Sequence, residues 1–226
     1  MNNNPPAIET KELCKSYDQG KTVALNHVSI SLQQGKIYAL TGSSGCGKST
    51  LLNILGTLDN ADSGAVLYFG KRKETIESIS QFRRDHIGFI FQFHYLIPIL
   101  TLQENVASAI LFQKNSTVIQ RQKQAEALLS SFGLEHKCHA LSSNVSGGER
   151  QRAAIARALA NEPKIILADE PTGNVDSKNT RIILQKLREY ADLYNSMVLI
   201  ATHDRNVAEF ADCVLNMEDG RILSRN

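Results

Sequence analysis

Residues 42–49 read Gly-Ser-Ser-Gly-Cys-Gly-Lys-Ser and match the pattern G-x-x-x-x-G-K-[ST]. Residues 36–41 before them, Lys-Ile-Tyr-Ala-Leu-Thr, predict a buried strand, and residues 48–58 predict a helix. Glycines allow the backbone of such a loop to curl until its N–H groups point at phosphate oxygens, and the helix start adds partial positive charge. The stretch therefore predicts a phosphate-binding loop, in which Lys48 reaches the β- and γ-phosphates and Ser49 ligates Mg²⁺.

A second motif consists of two acidic residues at the end of a predicted buried strand. The apolar residues 165–168 lead into Asp169 and Glu170, and α/β sheets bind ligands at the carboxyl ends of their strands. We expect Asp169 to hold Mg²⁺, directly or through water, and Glu170 to polarise the attacking water. Two solvated acids at a strand end are the alternative, which the phosphate-binding loop in the same chain disfavours. The two motifs together indicate a P-loop NTPase.

The composition restricts the class of protein further. The 226 residues carry 25 Lys and Arg against 23 Asp and Glu, and this near balance does not favour a nucleic-acid binder. The longest apolar-rich stretch, residues 87–100, contains Gln92, His94 and Pro98, so we expect no direct membrane insertion. Residues 1–12 lack the apolar segment of a signal peptide. The four cysteines are scattered, which is typical of a protein in a reducing cytosol and predicts no zinc site.

The order of strand and helix signals predicts the α/β class. Residues 8–13 and 28–32 alternate between apolar and polar types and predict an N-terminal antiparallel β layer. We expect one domain over residues 5–226, with an α-helical subdomain inserted at about residues 93–160. The other predicted elements are strands at residues 64–69, 87–91, 164–168 and 197–201, and helices at residues 102–132, 146–160, 177–190 and 205–210.

Residues 145–149 read Val-Ser-Gly-Gly-Glu, and residues 150–159 continue with Arg-Gln-Arg-Ala-Ala-Ile-Ala-Arg-Ala-Leu. This stretch closely resembles the signature of ATP-binding cassette (ABC) proteins, whose usual form is LSGGQ, with Val145 in place of the usual Leu. A serine and two glycines at a helix start form an anion site. Because the chain already carries a phosphate-binding loop, a second such site makes sense only for a nucleotide on a partner chain.

The resemblance implies a head-to-tail homodimer in which each signature closes the ATP site of the other chain. The alternative is an ordinary helix cap, in which Ser146 and Glu149 form a capping box. The cap could exist locally in either case, but it would not explain the glycine pair at residues 147–148.

Other ABC motifs follow in the expected order. Tyr17 is similar to the family's adenine-stacking aromatic residue, with packing inside the hairpin as the alternative. Gln92 resembles the Q-loop glutamine, which contacts Mg²⁺ or water and senses the transporter. Asp176 resembles the D-loop acid of the dimer interface, and His203 resembles the switch histidine that contacts the γ-phosphate.

The resemblance implies the ABC ATPase fold, with a RecA-like P-loop core, and ATP and Mg²⁺ as cofactors. It implies catalytic roles for Lys48, Gln92, Glu170 and His203. It implies Mg²⁺ contacts from Ser49, Gln92 and Asp169, and nucleotide contacts from Tyr17, Gly42, Ser43, Ser44, Gly45, Cys46, Gly47, Lys48, Ser49, Thr50, Ser146, Gly147, Gly148 and Asp176.

Four stretches, residues 91–98, 104–106, 146–152 and 168–174, look like the MacB/LolD/FtsE group of these ATPases. That resemblance implies an ATPase that serves separate membrane permease subunits, contacted through the Q-loop region, in lipoprotein release or efflux. It also implies a peripheral location on the cytoplasmic face of the bacterial inner membrane. An FtsE-like ATPase that transmits force and moves no substrate is the alternative. A third class, the soluble ABC ATPases of DNA repair or translation, usually carries insertions or a second cassette that this sequence lacks.

Overall fold

The computed structural model describes residues 5–111, 116–173 and 175–225. The strands are β1 Ile8–Tyr17, β2 Thr22–Val28, β3 Ser31–Leu32, β4 Ile37–Thr41, β5 Ser63–Tyr68, β6 Lys71–Arg72, β7 Ile87–Ile90, β8 Ile165–Asp169, β9 Met197–Ala201, β10 Cys213–Glu218 and β11 Arg221–Arg225. The helices are α1 Lys48–Leu55, α2 Ile79–His86, α3 Leu102–Ala109, α4 Val118–Ser131, α5 Gly147–Leu159, α6 Ser177–Tyr194 and α7 Arg205–Phe210.

The N-terminal strands form an antiparallel sheet in which β1 pairs with β2, β3 and β5, and β6 extends β5. The predicted antiparallel layer is present, but the predicted strand at residues 28–32 falls on the end of β2 and on the short β3. The pairing of β1 with β2 shifts register between Leu13 and Lys15. Such bulges interrupt the alternation of apolar and polar residues, and this explains why the sequence did not show the full length of β1 and β2.

The second sheet has the strand order β11-β10-β4-β9-β8-β7, and its strands are parallel except for β11. Both faces of this sheet are covered, which explains the uninterrupted apolar runs in its central strands. In β8, Ile165 and Leu167 face the core shared with α1 and the antiparallel sheet. Ile166 and Ala168 face the core shared with α3, α4, α5 and α6. The carboxyl ends of β4, β7, β8 and β9 therefore lie along one edge, which we call the carboxyl edge.

The three helices α3, α4 and α5 pack against one another on one side of the parallel sheet. The helical pattern predicted over residues 102–132 divides into α3 and α4, and residues 112–115 lie outside the described part of the chain. The extent of a helical subdomain at about residues 93–160 stays a prediction. Within the described ranges, no helix combines the length and the apolar composition that a membrane crossing requires.

Candidate nucleotide-binding site

A cavity of about 650 Å³ opens at the carboxyl edge, between the phosphate-binding loop and the antiparallel sheet. Its walls bring together residues that lie far apart in the sequence. They are Tyr17, Thr22, Val23, Ala24, Gly42, Ser43, Ser44, Gly45, Gly47, Lys48, Ser49, Thr50, Gln92, Asp169, Glu170 and His203. The volume is in the range of small-molecule sites.

The phosphate-binding loop depends on glycine at its junction with α1. Gly47 has φ +109°, and a Cβ atom there would lie 2.2 Å from the carbonyl oxygen of Ala24. The Nζ of Lys48 donates to the carbonyl oxygens of Gly42 at 2.9 Å and Ser43 at 2.8 Å. The ammonium group thus lies across the loop, next to the backbone that is predicted to surround phosphate.

Cys46 is the one residue of the loop, residues 42–50, that the cavity walls omit. Its backbone N–H donates to the carbonyl oxygen of Ser43, and its own carbonyl accepts from Gly220. The residue is only 5% exposed, and its Sγ lies 3.8 Å from the Nζ of Lys48. The side chain therefore packs beneath the loop and does not line the cavity, and the nucleotide contact of Cys46 stays a prediction.

Asp169 and Ser49 place oxygen atoms together on the floor of the cavity, where their side chains form a hydrogen bond. Burial raises the pKa of Asp169 above its usual value, and the charge of Glu170 acts in the same direction. The hydrogen bond from Ser49 and the charge of Lys48 oppose this increase. A hydroxyl and a carboxylate are the type of ligands that Mg²⁺ takes beside substrate phosphates, so these residues fit that ion.

Glu170 is held by the residues that follow β9. Its Oε1 lies 2.7 Å from the Nδ1 of His203, and its Oε2 accepts a hydrogen bond from the Thr202 hydroxyl at 3.4 Å. Its backbone N–H donates to Ala201, and its φ of +46° is unusual for a residue with a side chain. This geometry aims the carboxylate and the imidazole at the same cavity.

Tyr17 lies at the opposite end of the cavity, beside residues 22–24 of β2. The residue is 40% exposed and lines the cavity, which disfavours the alternative of packing inside the hairpin. The phenol donates to Oδ2 of Asp59 at 2.9 Å, and the ammonium of Lys15 lies 5.2 Å from the ring centroid. Sequence reasoning missed Asp59 and Lys15, and no motif around them would have revealed the contact.

The signature residues lie in a separate groove of about 620 Å³. Ser146 caps α5 through a capping box with Glu149, as the alternative interpretation predicted. Gly148 is not required by the packing of the chain itself, since the nearest atom to an added Cβ would be an Asn179 side-chain nitrogen at 3.5 Å. Asp176 caps α6 and lines the same groove.

The groove and the nucleotide cavity share no wall residue. The structure therefore brings Lys48, Gln92, Asp169, Glu170 and His203 together, along with Tyr17 and the loop. It does not bring Ser146, Gly148 or Asp176 to that cavity within one chain. Gly147 starts α5 beside Ser146 and is absent from the cavity walls as well.

The chain is similar to known proteins in both sequence and structure. A family model described as ABC transporter matches residues 25–173. Two structures of MJ0796, described as a bacterial ABC transporter cassette, each have a TM-score of 0.91 and cover 97% of both chains, at 37% and 38% identity. Both are described as dimeric, and one of them is a post-hydrolysis state bound to ADP and Pi. CbiO1 from Clostridium perfringens, described as part of the transporter complex CbiONQ, has a TM-score of 0.87 at 27% identity and covers 98% of this chain and 88% of its own. The predicted fold class is thus confirmed, and the chain belongs to the ABC transporter family as an ATP-hydrolysing cassette.

Proposed function

We propose that the chain is the ATPase subunit of a MacB/LolD-like transporter and works as a homodimer beneath separate permease subunits. The observation that carries the proposal is the separation of the nucleotide cavity from the signature groove. A family member that hydrolyses ATP with both motifs must then combine the cavity of one chain with the groove of another. The dimeric state of MJ0796 supports this arrangement.

In the proposed site, Ser49, Asp169 and Gln92 hold Mg²⁺, which neutralises charge on the β- and γ-phosphates when bound. The side chain of Lys48 exchanges its carbonyl partners for phosphate oxygens. Glu170 orients the attacking water and accepts its proton. The Nδ1 of His203 is engaged by Glu170, so the other ring nitrogen is the one that contacts the γ-phosphate.

From the second chain, the N-terminus of α5 closes the site. Ser146, Gly147 and Gly148 present backbone N–H groups and a hydroxyl at the positive end of the helix, which favours a γ-phosphate. The glycine pair leaves room for that approach. Asp176, in the same groove, contacts the partner at the interface.

The permease is proposed to dock beside Gln92. Within the seven residues after Gln92, Phe93, Tyr95 and Ile99 have exposures of 68%, 62% and 81%. Exposed apolar side chains in one short segment are typical of a partner contact. Because these residues lie close to Gln92 in the sequence, the same loop would contact both the nucleotide cavity and a membrane subunit. The contact would form on the cytoplasmic face of the bacterial inner membrane.

The composite site can be tested by mixing two inactive variants, Lys48→Ala and Ser146→Arg, in the presence of Mg²⁺ and ATP. The first damages the phosphate-binding loop, and the second puts a bulky cation where the γ-phosphate of the partner should lie. A mixed dimer keeps one site with an undamaged loop and an undamaged signature. We therefore expect hydrolysis to reappear on mixing, measured as phosphate release.

The matched control carries both substitutions in one chain and is mixed with the wild type. Its mixed dimers contain no undamaged composite site, so only the wild-type dimers should contribute activity. If the two single variants regain nothing while cross-linking shows that they form mixed dimers, then either both sites must act together or the composite site is wrong. A mixed dimer of the double variant that hydrolyses ATP would contradict the composite site directly.

A further inference from the structure

The hydroxyl of Tyr17 is held by a residue outside the walls of the nucleotide cavity. The phenol donates to Oδ2 of Asp59 at 2.9 Å, and the side chain of Thr50 hydrogen-bonds to the same phenol. Both partners lie on α1 or just beyond its end. The tyrosine ring, which lines the cavity from β1, is therefore fixed to the element that begins with the phosphate-binding loop.

Asp59 is itself fixed to the last turn of α1. The backbone N–H groups of Leu58 and Asp59 donate to the carbonyl oxygen of Asn53, at 2.8 Å and 3.2 Å. Its Oδ1 accepts from the backbone N–H of Asn60 at 2.6 Å. The carboxylate thus has a defined position relative to the helix axis, and its hydrogen bond with the phenol fixes the position of Tyr17 as well.

Lys15 completes the arrangement. Its Nζ lies 3.2 Å from Oδ1 of Asp59 and 3.6 Å from Oδ1 of Asp62, and it donates to the carbonyl oxygen of Asn60 at 2.8 Å. Only 13% of the lysine side chain is exposed, and its ammonium lies over the ring of Tyr17. A cation over an aromatic face is attracted to it, so Lys15 restrains the ring while neutralising Asp59.

Asp59 remains ionised in this setting. Although burial alone would raise its pKa, the Asn60 N–H, the Tyr17 phenol and the Lys15 ammonium hold the pKa of Asp59 below its usual value. An ionised acceptor makes the stronger hydrogen bond to a phenol. The bond is therefore suited to hold an exposed ring in one orientation.

We propose that Asp59, supported by Lys15, is a positioning residue that fixes Tyr17 as the platform for the nucleotide base. The inference rests on the proposed function, in which ATP fills the cavity and its base stacks on Tyr17 as the family resemblance implies. The new element is that α1, through Asp59, fixes the position of the Tyr17 ring relative to the phosphate-binding loop. A base stacked on an aromatic ring contributes about 1–3 kcal/mol, and a ring that is free to rotate loses part of that contribution.

The test compares a ligand that has a base with one that lacks it. Binding of ADP and of inorganic tripolyphosphate, both with Mg²⁺, is measured by titration calorimetry on the wild type, Asp59→Ala, Tyr17→Phe and the double variant. Each single variant should weaken ADP binding about threefold to tenfold, a part of the stacking energy, and leave tripolyphosphate binding unchanged. Because both substitutions break the same hydrogen bond, the double variant should lose little more than either.

Asp59→Asn retains an acceptor oxygen but loses the charge that strengthens the hydrogen bond and attracts Lys15, so it should recover only part of the ADP affinity. The inference is overturned if Asp59→Ala binds ADP like the wild type, or weakens tripolyphosphate binding to the same extent. Tyr17→Phe keeps Asp59 in place, so unchanged ADP affinity in this variant would overturn it even if Asp59→Ala did not fold. Tyr17→Ala separates the two proposals: if it too leaves ADP affinity unchanged, base stacking itself is wrong.

Discussion

The side chain of Lys48 is held by its own loop, in the position from which it is predicted to bind phosphate. Its ammonium is held by two carbonyl oxygens of the loop, and the backbone that holds it turns at a glycine where a Cβ would collide with Ala24. The lysine and its loop thus form one local unit. Phosphate oxygens would compete with carbonyl oxygens for the same ammonium, and charged partners form the stronger bond.

We expect Lys48→Ala to lower ATP hydrolysis at least about a hundredfold, as loss of a group that stabilises transition-state charge does. The free energy of unfolding should fall by only about 1 kcal/mol, since the two lost hydrogen bonds lie partly in solvent. Hydrolysis and thermal unfolding are measured in parallel. Lys11→Ala, which removes an exposed lysine of β1, is the control and should change neither; near wild-type turnover in Lys48→Ala would contradict the assignment of the loop.

At the level of residues, the sequence predicted the members of the cavity that motifs define. The side chains of Glu170 and His203 lie 2.7 Å apart, although each residue was identified separately, at the end of a different strand. Asp59 and Lys15 could not be found in this way, since their proposed role comes from contacts between β1 and the segment that follows α1. The direction of the Cys46 side chain was equally hidden, because a motif gives the order of residues and not which of them points away.

Among the elements, three helices begin with the same device. Thr101 and Glu104 cap α3, Thr117 and Gln120 cap α4, and Ser146 and Glu149 cap α5, each as a capping box. The box of α4 uses a neutral glutamine, whereas those of α3 and α5 use glutamate. The caps of α3 and α5 therefore depend on ionisation and that of α4 does not.

We expect Glu149→Gln to keep the cap but remove its pH dependence. The backbone N–H of Ser146, and its hydroxyl, lower the pKa of Glu149 below its usual 4.5, with burial acting against them. A lowered folded-state pKa gives stability that is present above the unfolded pKa and is lost as the pH falls through the folded one. Because the Glu149 carboxylate is partly exposed, its charge should contribute only about 0.5 kcal/mol to the free energy of unfolding.

The measurement is urea unfolding of wild type and variant between neutral pH and acid below pH about 4. The stability difference between the two proteins should shrink as the pH falls. Glu104→Gln is a matched variant, because the Thr101 N–H likewise lowers the pKa of Glu104, and Gln120→Glu in α4 is the converse. A difference for Glu149→Gln that stays constant with pH would rule out a charge-dependent cap.

How far elements could be predicted depended on burial. Strands buried on both faces, such as β8 and β9, appear in the sequence as unbroken apolar runs and were predicted within a residue or two. Helix α2 was missed because none of its residues is fully buried, and β10 was missed because Asn216 and Glu218 interrupt its apolar pattern. Those elements are specified by pairing and packing with distant segments, which local periodicity does not record.

At the scale of the whole molecule, the arrangement of two sheets and a helical layer places the nucleotide cavity and the signature groove apart, with no wall residue in common. Arg157 of α5 donates to the carbonyl oxygens of His94 and Tyr95, which lie two and three residues after Gln92. The signature helix is thus tied to the loop that reaches the nucleotide cavity of its own chain. In the proposed dimer, this helix would contact the nucleotide of the partner chain while it remains bonded to the loop at its own nucleotide cavity.

We expect Glu170→Gln to bind ATP, to fail to hydrolyse it and to accumulate as a closed dimer. The amide keeps the shape of the carboxyl group but cannot accept a proton from water. Lys48, Ser49 and Asp169 are unchanged, so Mg²⁺ and ATP still bind. Each γ-phosphate then remains bound to the signature of the other chain, and the interface persists because hydrolysis does not remove the bridging group.

Size-exclusion chromatography with light scattering measures this directly, as a change from the 25.0 kDa chain mass to twice that mass in ATP. ADP should not support the dimer, because it lacks the γ-phosphate that joins the two chains. Adding Ser146→Arg to Glu170→Gln is the control, and it should return the protein to a monomer while ATP still binds to the intact loop. A Glu170→Gln protein that binds ATP at saturation and stays monomeric would contradict nucleotide-driven dimerisation of the isolated subunit, and would require the membrane subunits to align the two chains.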